Sequence, residues 1–205
     1  MAGDQEYFIK GMSTLRGRQI FSILKPFFNF GFLICSLSPR AVRCWQLSMF
    51  RYARSRIGIA CRYILIKSLV QSCGDNVAVF ESVFLLDIQH LRLGSNVSIH
   101  PLCYIDAQGG ITIGNDVSIA HNVSLLSFEH DFSDASRKIK DAPCLPQKII
   151  IEDNVWIGAG VRILGGVRIG TGSVIGAGAV VTRDIPAMSV AMGVPAQVIK
   201  SRKLQ

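Results

Sequence analysis

One aliphatic residue in every six governs what this chain can fold into. Leu93, Ile99 and Ile105 lie six apart, and so do Ile113, Ile119 and Leu125. Ile151, Ile157, Ile163, Ile169, Ile175 and Val181 then continue the step without a break. Three places after most of them stands Asn96, Asp116, Asn122, Asn154, Gly160, Gly166, Gly172, Gly178 or Asp184, followed by a small or β-branched residue such as Val97, Val155 or Ala179. Helices repeat at 3.6 residues and half-buried strands at two, so a period of six belongs to neither. The pattern has a direct physical reading. The aliphatic points inward from a short flat strand, and the Asn, Asp or Gly takes the positive φ of a corner. Three such sides close one triangular coil. Coils stacked in parallel, about 4.8 Å apart, bury a continuous ladder of Ile and Val, and each coil depends on its neighbours for stability. The predicted fold is an all-β solenoid, a parallel β-helix over residues 73–186, with a mostly helical N-terminal arm (1–72) and a short C-terminal tail (187–205).

The repeat slips twice. Ile105 to Ile113 is a step of eight, which Gly109 and Gly110 allow to bulge outward. Leu125 to Ile151 is a step of 26. It holds a loop, 127–148, that opens on Ser127-Phe128-Glu129-His130-Asp131-Phe132 and continues through Arg137, Lys138, Lys140, Pro143 and Pro146. A rigid scaffold carries its chemistry on such excursions. His130, at the root of this one, reads from local sequence alone as a solvated loop histidine, although an imidazole with a pKa near 6.5 can accept the proton of a poorly nucleophilic hydroxyl. Asp131, Asp106 and Glu129 are the carboxylates available to orient it or to hold an acceptor, and spacing alone leaves the choice among them open. His90, His100 and His121 read as structural or interfacial.

The net charge of +8 is unevenly placed. Residues 1–72 hold 11 Lys/Arg and 2 Asp/Glu, whereas residues 73–205 hold 11 and 12. The basic character belongs to the arm, and without any nucleic-acid motif it points to packing or to anionic membrane. Within residues 40–72, Met49, Ala53, Ile57, Cys61 and Ile64 recur at helical steps between arginines, predicting one or two helices. These would cap the first coil, whose strand edges are otherwise open. A peripheral inner-membrane contact is the further expectation, with Phe27, Phe28, Phe30 and Phe32 dipping into lipid. Lys25 and Pro26 are expected to split the apolar run Ile20–Leu37 and leave a piece too short to span a bilayer. Six scattered cysteines without metal spacing read as reduced thiols of a cytoplasmic protein, no signal peptide is expected, and no metal site is predicted.

The hexad grammar resembles that of the hexapeptide-repeat acyltransferases over roughly residues 73–200. Asp153-Asn154-Val155-Trp156-Ile157-Gly158-Ala159-Gly160, the Glu129-His130-Asp131 stretch and the closing Gly193-Val194-Pro195-Ala196 carry the resemblance. It implies a left-handed coil, a homotrimer, and acetyl-CoA as co-substrate, with direct transfer to a hydroxyl by a histidine base. It places catalysis on His130 with Asp131 and the donor on Trp156, Ala159, Ala177, Thr182, Arg183 and Lys200; Asp106 and Glu129 are the residues expected, apart from the resemblance, to meet the carbohydrate acceptor. Gln197 stands where galactoside enzymes have a basic CoA contact, so Arg202 or Lys203 would have to supply that charge. The sugar-holding Asn and Asp of those enzymes lack counterparts in Leu102–Gln108, which disfavours a simple galactoside or maltose acceptor. A surface polysaccharide or its lipid-linked precursor fits better. N-acyl transfer to an amino sugar nucleotide, a serine acetyltransferase-like activity and a non-catalytic scaffold are the competing readings. A γ-type carbonic anhydrase would need a zinc-histidine spacing that is absent here.

Overall fold

The computed structural model describes residues 17–202; Asp4, Glu6 and Lys203 lie outside the described residues. All twelve hexad aliphatics are at most 3% exposed. They lie in strands of two or three residues on three faces of a prism. In-register parallel pairing stacks Cys73, Leu93, Ile113, Ile151 and Ile169 on the first face. Val79, Ile99, Ile119, Ile157, Ile175 and Ala191 stack on the second, and Leu85, Ile105, Leu125, Ile163 and Val181 on the third. Full burial of each such side chain is worth about 1.5–3 kcal/mol, so the ladder is the main source of cohesion.

The corners follow the sequence closely. Asn96, Asp116, Asn122 and Asn154 have φ of 57–58°, and the glycine corners Gly160, Gly166, Gly172 and Gly178 have 70–82°. Along one edge the corner side chains bond to each other: Asn76 Nδ2 donates to Asn96 Oδ1 (2.9 Å) and Asn96 Nδ2 to Asp116 Oδ1 (3.1 Å). Asp184 departs from the expectation. Its carboxylate accepts from the Arg168 amide at 2.7 Å instead of turning a left-handed corner. The early coils also carry a wider turn where the third face passes to the first, at Asp87–His90 and Ala107–Gly110. That turn is the eight-residue step read in the sequence. The coil extends past residue 186: Ser189–Met192 adds a parallel strand to the second face, and Gln197–Ser201 folds back antiparallel upon it.

Among the described residues, three helices form the arm: α1 (Gly17–Ser36), α2 (Arg40–Phe50) and α3 (Arg56–Leu69). Ser55 caps α3 by accepting from the Gly58 amide at 2.9 Å. Tyr63, Ile66 and Leu69 of α3 cover the first coil as part of the buried core. Arg62 is buried without a carboxylate. Its Nε donates to Val79 O, and its Nη1 to Phe50 O and Ala53 O, the carbonyls at the end of α2. One side chain thereby ties α2 and α3 to the prism.

The expected break at Lys25-Pro26 does not occur. α1 runs through Pro26, and the stretch Arg18–Ser36 is long and apolar enough to cross a membrane by length and composition. A proline inside a helix forfeits one hydrogen bond and crowds the carbonyl four residues back, here that of Ser22. Both Ser22 and Pro26 are exposed, so water can serve that carbonyl. Packing on each side of the proline holds the helix together: Phe21 and Phe28 stack on one another at 5.2 Å and meet Tyr63 edge-on. Phe28 and the half-buried Phe32 thus face the protein, not lipid as the sequence suggested.

Candidate active site

The 127–148 excursion leaves the prism as a two-stranded arm. Phe128–His130 pairs antiparallel with Cys144–Pro146, setting His130 opposite Cys144. Its root is Ser127, which is fully buried. Ser127 Oγ donates to Asp106 O (2.7 Å) and accepts from the Gly109 amide (2.9 Å), while its carbonyl accepts from Gln147 N (2.8 Å). Gly109 is required by space here. A Cβ would press on the Ser127 carbonyl and stand 2.5 Å from Gln147 N.

At the far end of this arm the His130 ring is exposed. Its Nδ1 lies 3.8 Å from Cys144 Sγ, and Phe128 meets it edge-on at 6.4 Å. The described hydrogen bonds of the Asp131 carboxylate run to Ser133: Oδ1 accepts from Ser133 N (3.0 Å) and Oγ (2.6 Å). Those bonds hold its carboxyl below the usual range. Asp106 sits at the root, nearly buried, and burial raises its carboxyl while Oδ1 accepts from Gln108 N (3.2 Å). Glu129 projects to solvent. The sequence did not single out Cys144 or Ser127; hairpin register makes the first a neighbour of His130, and burial makes the second an anchor.

Beside the root lies a depression of about 310 Å³ lined by Gln71, His90, Arg92, Gln108, Gly110 and Lys148, among others. None of its lining residues is acidic. His100 stacks on Phe80 at 4.7 Å, a structural role.

The residues matched to the donor fall in two places. Trp156 is 54% exposed on the second face, beside fully buried Ile157. Ala159 and Ala177 share the edge between the second and third faces, where Gly178 N donates to Ala159 O at 2.8 Å. Lys200 lies on the returning strand of the second face, opposite Val190. Thr182 and Arg183 are exposed at the other end of the third face, the edge from which the His130 hairpin also leaves. Gln197 pairs with Met192, and the Arg202 guanidinium donates to Gly172 O. The edge that bears the hairpin and the Ala159/Ala177 edge are therefore separated by the width of one face, a six-residue side of roughly 20 Å at most.

Residues 148–183 match the family described as bacterial transferase hexapeptide (six repeats). The galactoside O-acetyltransferase of Escherichia coli (strain K12) is 40% identical over 139 residues, 68% of each chain. The chain belongs to the hexapeptide-repeat acyltransferases. Its prism is the left-handed parallel β-helix of that family, and the protein is an acyltransferase. A solved galactoside acetyltransferase in complex with coenzyme A has a TM-score of 0.71 at 33% identity, covering 80% of both chains. The polysialic acid O-acetyltransferase of Escherichia coli O1:K1 / APEC is 47% identical over 93 residues, 44% of this chain and 29% of that one.

Proposed function

We propose that this member of the hexapeptide-repeat acyltransferases moves the acetyl group of acetyl-CoA onto a hydroxyl of an acidic surface polysaccharide or its lipid-linked precursor. The observation that carries the reading is the exposed His130 imidazole, held off the prism on a short hairpin with a buried root. His130 accepts the hydroxyl proton as the acceptor oxygen attacks the thioester carbonyl. The tetrahedral oxyanion is stabilised by backbone N–H groups. Its collapse expels the CoA thiolate, which takes the proton back from the imidazolium, so no acyl-enzyme is needed. General base catalysis of this kind contributes about 10²–10⁴-fold.

We infer a homotrimer, and the layout supports it. In one protomer the hairpin edge and the Ala159/Ala177 edge are a face apart, and a threefold arrangement would set the hairpin edge of one prism beside the donor edge of the next. Trp156, Ala159 and Ala177 then flank the pantetheine, while Thr182, Arg183 and Lys200 are placed for the polar end of the donor. The cations beside the hairpin root favour a carboxylate- or phosphate-bearing acceptor, in keeping with the polysialic acid enzyme among the relatives.

The test is release of CoA thiol with acidic and neutral oligosaccharides as acceptors. The expected result is turnover with the acidic set and a loss of at least about 10²-fold in His130→Ala with CoA binding retained. Equal turnover by that variant would overturn the reading. Alkali-labile product marks an ester, whereas alkali-stable product would instead support N-acyl transfer.

A further inference from the structure

We propose that the outer face of α1 is a docking surface for an anionic lipid bilayer, on which the helix lies in the plane of the headgroups. α1 carries two apolar stripes. One contains Phe21, Phe28 and Gly31, and it is occupied by the protein: the two rings pack on Tyr63, and a Cβ on Gly31 would meet Ile64 at 2.8 Å. The other runs Ile23, Phe27, Phe30 and Ile34 at steps of four, three and four, and all four are at least half exposed. Between the stripes, on the polar side, Arg18 pairs with Asp116 and Lys25 with Asp75, both at 2.5 Å. These ion pairs and the docked rings fix the helix along the prism with its second apolar stripe outward. A helix gripped along its length in this way lies on a surface and does not cross it. α2 repeats the arrangement with exposed Val42, Trp45 and Met49 at helical steps.

Charge selects the occupant. From Tyr7 to Gly74 the sequence contains no Asp or Glu. Arg54, 83% exposed and 4.0 Å from Glu81, and Arg56, also exposed, stand where α3 begins. An exposed apolar face on an arm whose own charged residues over this stretch are all cations is matched by acyl chains under anionic headgroups. A second copy of this chain would offer its own cationic arm or an almost neutral prism. The surface would hold the transferase where a membrane-borne acceptor is presented, and it stands whether or not the acyl acceptor is a glycan.

The full-length protein is tested by flotation with phosphatidylcholine vesicles with and without phosphatidylglycerol. Wild type is expected to float with the anionic vesicles, at least about tenfold more tightly than with the neutral ones, and to be released as salt rises. Phe27→Ser/Phe30→Ser should weaken binding by about tenfold or more, whereas Phe27→Leu/Phe30→Leu should float as wild type does. Circular dichroism establishes that each variant is folded. Three results would overturn the proposal: wild type left unbound by both vesicles, the serine variant floating undiminished, or a drop in its particle mass without vesicles, which would mean that a second copy covers the face.

Discussion

Gly109→Ala isolates the link between the hairpin root and the chemistry. The added methyl would press on the Ser127 carbonyl and stand 2.5 Å from Gln147 N, where about 3.4 Å is ordinary contact, so the root must retreat by about 1 Å. The Gly109–Ser127 and Gln147–Ser127 hydrogen bonds, 2.9 and 2.8 Å, are strained or lost. At about 0.5–1.5 kcal/mol each they put the stability cost at roughly 1–3 kcal/mol. The functional cost should be larger, because a displacement of about 1 Å can cost about 10²-fold in rate. Steady-state kinetics should show kcat reduced by about that factor, with donor binding near wild type and a cooperative thermal transition retained. Trp156, Ala159, Ala177 and Lys200, expected on the donor side, lie elsewhere on the prism, so a parallel loss of CoA affinity would refute the reasoning, as would an unchanged kcat.

Arg62→Met should destabilise the protein by about 1–3 kcal/mol, measured by denaturant unfolding, because Val79 O loses its Arg62 donor while Phe50 O and Ala53 O are left with only their backbone donors, Ala53 N and Ser55 N. Burial pushes the thiols of Cys73 up to about 12 and Cys103 to about 11; alkylation near pH 8, read by mass spectrometry, should leave these two unmodified until the protein is unfolded. The hydrogen bond from Lys25 depresses the Asp75 carboxyl. Its contribution is therefore complete above the unfolded value near 3.9 and fades as pH falls through the lower folded one. Pepsin should cut between α1 and α2 faster as pH drops through that window, and Lys25→Met should already be cut fast above it.

The prism was legible in the sequence because its period is local. Each aliphatic reports its own burial, and each Asn or Gly reports its own corner. Asp184 misled because its carboxylate found a backbone partner instead. What stayed hidden depends on contacts between distant segments. Pro26 looked like a break, yet Phe21 and Phe28 clamp the helix from both sides of it. The tail looked finished at Pro186, but Ser189–Met192 still finds the open edge of the second face. The excursion that carries His130 was legible as a break in the repeat, whereas Cys144, fourteen residues on, becomes its neighbour only through hairpin register. Among the carboxylates the sequence left open, Asp131 is adjacent to His130, and what adjacency does not reveal is that its side chain accepts from Ser133.

Complementation between two inactive variants bears most directly on a catalytic site completed by neighbouring prisms. His130→Ala lacks the base, and Ala177→Trp blocks the donor edge while leaving the hairpin intact. If each site combines the hairpin of one protomer with the donor edge of the next, random co-assembly of equal amounts should restore about a quarter of the wild-type rate. A mixture no more active than either variant alone would contradict the account.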